Sequence, residues 1–244
     1  MRIAFSGAAC TGKTTTIEAF LRKWPSYQLV KSEYRNFIKK SKQHSRNNSK
    51  KNQEQILDIM LSESLHYTPH DKVVFDRCPL DNVIYSLWCY DKGIKGFTEK
   101  FIQQSIQKVR ESMKHLDVIF LCTRDMMPPV VSNGVRDTDT QYIDEINTLF
   151  KSTLKQIQRG TEYSPFFPAG DSPGFIDIHG TTEERIAQIS LYVTEDGGMY
   201  GEEQSLINMN ELNDMYKLLM DQKEAAQTEK AQQIGLLDPA KFNK

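Results

Sequence analysis

The stretch Gly7-Ala8-Ala9-Cys10-Thr11-Gly12-Lys13-Thr14 directly follows the largely apolar run Arg2-Ile3-Ala4-Phe5-Ser6 near the start of the chain. It matches the phosphate-binding pattern G-x-x-x-x-G-K-[ST] in the strand-then-helix context that this pattern requires. The glycines let the backbone turn tightly so that its N–H groups surround phosphate oxygens, and the following helix adds the positive end of its dipole. The sequence therefore predicts that the chain binds a nucleoside triphosphate.

The side chains of this loop have predicted roles. We expect Lys13 to contact the β and γ phosphates, and Thr14 to offer its hydroxyl to Mg²⁺, which binds proteins through few ligands plus phosphate oxygens. The expected cofactors are ATP and Mg²⁺. The residues predicted to bind the nucleotide are Gly7, Ala8, Ala9, Cys10, Thr11, Gly12, Lys13, Thr14 and Thr15.

The composition is that of a globular chain. Its 244 residues are 39% apolar and 26% charged. There is no run of about 18 apolar residues that would span a membrane. The first strand begins at once, without the basic and apolar segments of an export signal, so we expect a soluble cytoplasmic protein, in the host cytoplasm if it is viral. The four cysteines form no C-x-x-C pair, which argues against a zinc site or a disulfide framework.

Charge is distributed unevenly along the chain. Residues 31–51 carry eight bases and one acid, a local balance of +7, whereas residues 195–244 carry ten acids and five bases. A basic run of this kind can attract polyphosphate or nucleic acid, and it can also be a solvated face.

Apolar runs alternate with helical periodicity along the chain, in the order of a βαβ protein. The predicted fold is a three-layer α/β fold in which a parallel sheet of about five strands is flanked by helices. We expect a catalytic domain at residues 1–193, with a lid at 124–141, and a polar, acidic, partly helical extension at 194–244. The predicted strands cover residues 2–6, 27–31, 72–77, 117–122 and 175–179.

Two charged pairs follow predicted strands, at the carboxyl edge where open parallel sheets place their ligands. We expect Asp76 to take a proton from an acceptor hydroxyl or to hold the Mg²⁺ shell, and Arg77 to bind a phosphate or carboxylate bidentately. Glu33 and Arg35 are predicted to fix polar atoms of the substrate. The alternatives are a helix cap with a salt bridge for the first pair and a surface ion pair for the second.

Arg136 lies in a glycine-containing segment, residues 133–137, ahead of a predicted helix. A closing lid would bring its guanidinium to the γ-phosphate, where positive charge stabilises the moving phosphoryl group. Asp137 and Asp139 are expected to start the helix. The predicted catalytic residues are Lys13, Asp76, Arg77 and Arg136, the metal ligands are Thr14 and Asp76, and the substrate ligands are Glu33, Arg35 and Arg77.

Four motifs occur in order along the chain: residues 7–15, Ser32-Glu33-Tyr34-Arg35, residues 74–82 and Gly134-Val135-Arg136-Asp137. Together they resemble the P-loop nucleoside and nucleotide kinases, most of all the thymidylate-kinase-like and nicotinamide-riboside-kinase-like group of AAA-type ATP-binding domains. The resemblance covers residues 1–193. It implies a P-loop kinase fold, an acidic residue near the acceptor at Asp76, a substrate contact at Arg77 and a lid residue at Arg136.

The lid departs from this pattern. Asn133 stands where the group often has Asp, and an arginine often found on the lid helix is missing around Tyr142. Arg124 is the other candidate for the positive charge that the lid would supply.

The resemblance implies an ATP-dependent kinase that transfers the γ-phosphoryl group to a hydroxyl or a monophosphate of a nucleoside-type acceptor. Within this group, the chain is most specifically similar to the bacteriophage kinases that phosphorylate 5-hydroxymethyluracil within DNA during thymidine hypermodification. The basic residues 31–51 suit a polymeric substrate of this kind. A free nucleoside, a nucleoside monophosphate or nicotinamide riboside is the alternative acceptor. A nucleotide-switched ATPase binding module is the alternative of another class.

The expected partner is thus a nucleoside-type acceptor, either free or within duplex DNA, and no membrane is expected. The sequence leaves open the identity of the acceptor, the preference for ATP or GTP, the formation of a homodimer and the role of the C-terminal extension.

Overall fold

The computed structural model describes residues 1–41, 46, 48–123, 139–160, 164–167 and 172–200. Most of the predicted lid, including Arg124 and Arg136, and nearly all of the C-terminal extension lie outside the described residues. The sheet and its flanking helices all belong to one compact unit, Met1–Met199.

Five parallel strands form a single sheet in the order β2-β3-β1-β4-β5. The prediction of a three-layer α/β fold with a parallel sheet is therefore confirmed. The predicted strand at 27–31 is shortened to two exposed residues, because it forms the edge of the sheet and pairs on one side only. The strands are β1 (Arg2–Ser6), β2 (Gln28–Leu29), β3 (Val73–Asp76), β4 (Val118–Cys122) and β5 (Gly174–Ile178).

Helices cover both faces of this sheet. The described helices are α1 (Lys13–Lys23), α2 (Glu33–Ser41), α3 (Lys50–Leu65), α4 (Pro79–Asp91), α5 (Glu99–Ser112), α6 (Thr140–Arg159) and α7 (Thr182–Ile189), and a 3-10 turn, Met113–His115, follows α5. Among them, no helix is both long enough and apolar enough to cross a membrane.

The apolar core consists of two main clusters because successive strand residues point to opposite faces of the sheet. Ile3 and Phe5 pack with Phe20 of α1 and Ile189 of α7 on one face. Ala4, between them in β1, packs on the other face with residues of α3, α4, α5 and α6. The burial of the central strands on both faces explains why their sequences are continuously apolar.

Local sequence signals account for several helix ends. Thr181 and Glu184 form a reciprocal capping box at the start of α7, and Asp139 caps α6 by accepting a hydrogen bond from the Tyr142 N–H. One helix was missed. The sequence placed Glu33 and Arg35 in a segment after a strand, whereas α2 begins at Glu33, so the two side chains lie on different sides of a helix.

Candidate active site

The phosphate loop, residues 7–14, connects β1 to α1 at the carboxyl edge of the sheet. Its backbone adopts positive φ at Gly7 (132°), Cys10 (58°) and Gly12 (78°). A Cβ atom at Gly7 would lie 2.5 Å from the carbonyl oxygen of Cys122, so any larger residue would push the loop away from β4. Gly7 is therefore required both for the turn and for the close approach of two backbones.

Lys13 is buried at the centre of this loop. Its ammonium group donates to the Gly7 carbonyl oxygen at 3.0 Å, to the Ala8 carbonyl oxygen, and to Thr11 Oγ1 at 3.2 Å. Burial lowers the pKa of Lys13 to about 7, and the nearby Arg77 guanidinium acts in the same direction. The loop thus holds a cation whose charge is poorly solvated and would be stabilised by an anion.

A cavity of about 460 Å³ opens on the loop. Ala9 to Thr15 line it, so most of the predicted nucleotide-binding residues face this space, whereas Gly7 and Ala8 lie behind it. The opposite side is here called the helical wall. The helical wall consists of Tyr34, Arg35, Ile38, Lys39, Asn48, Gln53, Ile56, Met60, Asn82 and Tyr85.

Asp76 ends β3 between the loop and the helical wall. Its Oδ2 atom forms an ion pair with Arg35, and its Oδ1 atom is buried with no hydrogen-bond donor among the described residues. The structure therefore brings two predicted site residues, Asp76 and Arg35, into direct contact inside the cavity. One carboxylate oxygen is held in place and the other is left for a further partner.

Tyr34 contacts both members of the Asp76–Arg35 ion pair. Its hydroxyl donates to the Asp76 backbone carbonyl at 3.1 Å and accepts from Arg35 Nε at 3.4 Å. Burial raises the pKa of Tyr34 to about 12, so the phenol stays protonated over the physiological range.

Arg77 lies beside the phosphate loop in a left-handed backbone conformation, with φ 82°. Its Nη1 atom donates to the Gly7 carbonyl oxygen at 3.0 Å and to Asp81 Oδ1 at 2.7 Å. Its Nη2 atom donates to the Tyr85 hydroxyl at 3.3 Å, and the guanidinium lies over the Tyr85 ring. Arg77 lines the cavity, with its orientation fixed by these partners.

Asp81 was missed as a site residue. It is almost completely buried, and its carboxylate accepts from Ser6 Oγ at 2.6 Å, from the Gly7 and Cys78 N–H groups, and from Arg77. The carboxylate thereby ties β1, the phosphate loop, Arg77 and the start of α4 together. The available signal was the third helical position after Cys78, where an acid commonly completes a capping box.

The helical wall also contains polar side chains that sequence reasoning missed. Asn82 of α4 donates through Nδ2 to Gln53 of α3, both to the side-chain Oε1 atom at 2.6 Å and to the backbone oxygen at 3.2 Å. The Oδ1 atoms of Asn82 and Asn48 are buried without a donor among the described residues. Ile38, Ile56 and Met60 give the same wall an apolar surface.

Glu33 lies outside this cavity. Its side chain is exposed at the start of α2 and accepts from Asn36 Nδ2 at 3.2 Å, while its backbone N–H donates to Glu63. The structure brings Arg35 to the cavity and leaves Glu33 away from it, because the two residues point in different directions from one helical turn.

A second arginine, Arg185 of α7, supports the loop from behind. Its side chain is buried, and Nη1 donates to the Thr11 carbonyl oxygen at 2.6 Å while Nη2 donates to the Thr123 carbonyl oxygen at 3.0 Å. The contacts show that Arg185 joins the phosphate loop to the end of β4.

No group of three or more His, Cys, Asp or Glu residues suited to a metal ion occurs in the described part of the chain. Thr14 and Asp76, the predicted metal ligands, both line the cavity. A hydroxyl and a carboxylate oxygen without a donor are the hard oxygen ligands that Mg²⁺ takes in addition to phosphate oxygens and water. The two residues therefore fit a magnesium ion that is held mainly by a nucleotide.

Several solved structures have a fold similar to that of this chain. A deoxyadenosine kinase from M. mycoides, solved with dCMP and dCDP, matches with a TM-score of 0.52 and 16% identity over 78% of this chain and 97% of its own. The thymidylate kinase of Candida albicans matches with a TM-score of 0.50 and 15% identity over 77% of this chain and 88% of its own.

NadR protein in complex with NAD and AMP-PNP matches with a TM-score of 0.50 and 12% identity over 78% of this chain and 48% of its own. This chain thus spans about half the length of NadR. At these identities the similarities establish the shared P-loop kinase-like fold.

Sequence comparison adds a family assignment. No curated protein gave a significant sequence match. The family model described as AAA domain matches residues 2–165, which is more than half of the chain. The chain therefore belongs to the AAA domain family.

Proposed function

We propose that the protein is an ATP-dependent kinase that transfers the γ-phosphoryl group to a hydroxyl of a nucleoside-type acceptor. The observation that carries this proposal is Asp76. One of its carboxylate oxygens is held by Arg35, and the other is buried without a donor in the cavity that opens on the phosphate loop. A carboxylate placed between a phosphate site and a second binding wall can serve as a general base toward an acceptor hydroxyl.

The reaction assigned to this site is an in-line displacement. The acceptor oxygen forms a bond to the γ-phosphorus, the bond from this phosphorus to the β–γ bridging oxygen breaks, and ADP leaves. The acceptor proton passes to Asp76 Oδ1. Lys13 and the N–H groups of the loop stabilise charge on the phosphates, while Arg77 is held by Asp81 at the edge of the same cavity.

Mg²⁺ bound by the nucleotide, with Thr14 as the protein group that would hold it while Asp76 Oδ1 serves as the base, would neutralise part of the phosphate charge. The other contributions come from backbone and side-chain groups of this chain. Lys13 binds phosphate, Arg35 fixes the carboxylate of Asp76, and Tyr34 holds the backbone of Asp76 in place.

The first experiment is transfer of labelled γ-phosphate from ATP to a panel of acceptors. The panel contains free nucleosides, nucleoside monophosphates, nicotinamide riboside, and DNA with and without 5-hydroxymethyluracil. Label on a hydroxyl of a nucleoside supports the proposal. Label on a monophosphate would make the protein a nucleotide kinase, and label released only as free phosphate at a rate that no acceptor changes would make it a nucleotide-switched ATPase.

Asp76→Asn tests the role of the carboxylate. The amide can still accept from Arg35 but cannot take a proton, so we expect kcat to fall by about 10²–10⁴-fold with little change in the KM for ATP. Asp91→Asn, at the exposed end of α4, is the matched control. Near-normal turnover of Asp76→Asn would contradict a base at this position.

A DNA-borne acceptor, 5-hydroxymethyluracil, is the narrower form of the proposal. Its support is that Lys39 lines the cavity and that Lys39 and Lys40 are both exposed on α2, where a polymer backbone would pass. Replacement of both lysines by Glu should weaken binding of the modified DNA and reduce the slope of log K against log salt by about two, as expected for the loss of two phosphate contacts. An unchanged salt dependence would show that these lysines form only a solvated surface.

A further inference from the structure

The helical wall contains two amide side chains in direct contact, Gln53 of α3 and Asn82 of α4. Both are more than nine-tenths buried, and both line the cavity that opens on the phosphate loop. Asn82 Nδ2 donates to Gln53 Oε1 at 2.6 Å and to the Gln53 backbone oxygen at 3.2 Å. Asn82 Oδ1 is buried and receives no hydrogen bond from any described residue.

The orientation of both amides is determined by the backbone. A carbonyl oxygen can only accept, so the Asn82 atom that faces the Gln53 backbone oxygen must be the NH₂ group. The second hydrogen of that NH₂ group is donated to the Gln53 amide, so the accepting atom must be the amide oxygen, Oε1. Asn82 is therefore left with an acceptor, Oδ1, and Gln53 with a donor, Nε2, for partners outside the pair.

We propose that Gln53 and Asn82 read the base of the acceptor through this donor and acceptor. The inference rests on the proposed kinase function and names the substrate class for the same site. An adjacent N–H donor and a C=O or ring-nitrogen acceptor satisfy the pair, as on the pairing edge of an unmodified nucleobase or on a carboxamide. A base whose N–H is methylated, or a carboxylate in place of the carboxamide, leaves Asn82 Oδ1 without a donor.

The surroundings of the pair suit a planar ring. Ile56 and Met60 come from the same face of α3 as Gln53, and Tyr85 lies one turn beyond Asn82 on α4. Small-molecule sites commonly combine an apolar lining with a few polar groups that fix orientation. A purely structural link between α3 and α4 needs only the Nδ2 bonds and gives no reason to bury the Oδ1 atom without a partner.

A DNA substrate would have to unpair its base to reach Gln53 and Asn82. The edge that Gln53 and Asn82 would bind is the edge that a paired base uses in a duplex. The base must then be single-stranded or turned out of the helix to enter the cavity.

Matched acceptors test the proposal on the unaltered protein. The pairs are thymidine with 3-methylthymidine, adenosine with N6,N6-dimethyladenosine, and nicotinamide riboside with nicotinic acid riboside. For whichever parent compound accepts phosphate, we expect kcat/KM for its partner to be lower by about 100-fold, because a site built for an N–H group rejects an analogue that lacks it. Equal rates within a pair would overturn the inference and leave the kinase function standing, whereas no transfer to any acceptor would overturn both.

Gln53→Glu isolates the donor. The carboxylate still accepts from Asn82 but offers no N–H, so we expect the KM for the parent nucleoside to rise by about tenfold while the KM for ATP stays unchanged. Gln55→Glu makes the same chemical change at an exposed position of α3 and should have no effect. A Gln53→Glu variant with normal KM, or one in which the KM for ATP rises equally, would contradict a role in reading the base.

Discussion

The two sides of the cavity satisfy their polar groups in different ways. On the phosphate loop, the Lys13 ammonium donates to three oxygens and the Asp81 carboxylate accepts from β1, the loop, Arg77 and α4. Away from the loop, Asp76 Oδ1 at the end of β3 and Asn82 Oδ1 in the helical wall are buried without a donor in the described part of the chain. The loop is therefore held in shape by internal bonds, whereas the end of β3 and the helical wall keep acceptors that no described residue satisfies.

This difference indicates that the loop binds phosphate and that the helical wall discriminates among acceptors. Phosphate groups have a fixed shape, so a loop organised in advance can bind them with little reorganisation. Acceptors differ in chemistry, and buried polar groups that lack partners provide discrimination because the wrong ligand leaves them unsatisfied. Substitutions in the loop should consequently affect every acceptor equally, and substitutions in the helical wall should change which acceptor is used.

On the loop side of the cavity, the largest expected effect is at Lys13. Lys13→Met removes the cation at the centre of the loop while keeping a side chain of similar length, and we expect kcat/KM for phosphoryl transfer to fall by about 10²–10³-fold for all acceptors. Arg22→Met, on the exposed side of α1, is the control. If kcat/KM fell for one acceptor only, the proposal that the loop acts on all acceptors equally would be contradicted.

The next effect concerns the internal bonds of the loop. Asp81→Asn leaves the largely buried Arg77 without its ion pair, so we expect the free energy of unfolding to decrease by about 3 kcal/mol, measured by denaturant titration. Arg77→Met in the same background should recover part of this loss, because it removes the uncompensated charge. If the two substitutions were simply additive, Asp81 and Arg77 would not act as a unit.

The loop side of the cavity could be located from the sequence because the pattern that defines it is local. The motif at residues 7–14 sets the turn, the glycines and the lysine within one connection between a strand and a helix. Asp76 and Arg77 could be placed at the same edge because parallel strands end together.

The helical wall could not be predicted in the same way. Gln53 and Asn82 are 29 residues apart and meet only because α3 packs against α4. Their separate helical patterns identify a buried face without indicating which polar side chains share it. Glu33 stays a predicted substrate ligand, but it lies outside the cavity because the helix that begins at this residue directs its side chain to solvent.

The smallest expected effect is the pH dependence that Lys13 gives to the free energy of unfolding. It shows whether burial of the Lys13 ammonium group destabilises the folded protein. Its pKa is about 7 in the folded protein, lowered chiefly by burial, and about 10.4 in the unfolded chain. Below pH 7 both states carry the proton and the cost of burying the charge is greatest. Above pH 7 the folded protein releases the proton first, so the free energy of unfolding of nucleotide-free protein should rise with pH.

Lys13→Met removes this dependence and should therefore be more stable than the wild type, most clearly at low pH. We expect the difference in the free energy of unfolding between the two proteins to shrink by about 1 kcal/mol between pH 6 and pH 8, measured by denaturant titration without nucleotide. Other titrating groups, including the buried thiols of Cys78 and Cys122, cancel in this difference. If this difference in the free energy of unfolding stayed constant from pH 6 to pH 8, the loop carbonyls would solvate the ammonium group as well as water does. The loop would then be organised for phosphate at no cost to the stability of the folded state.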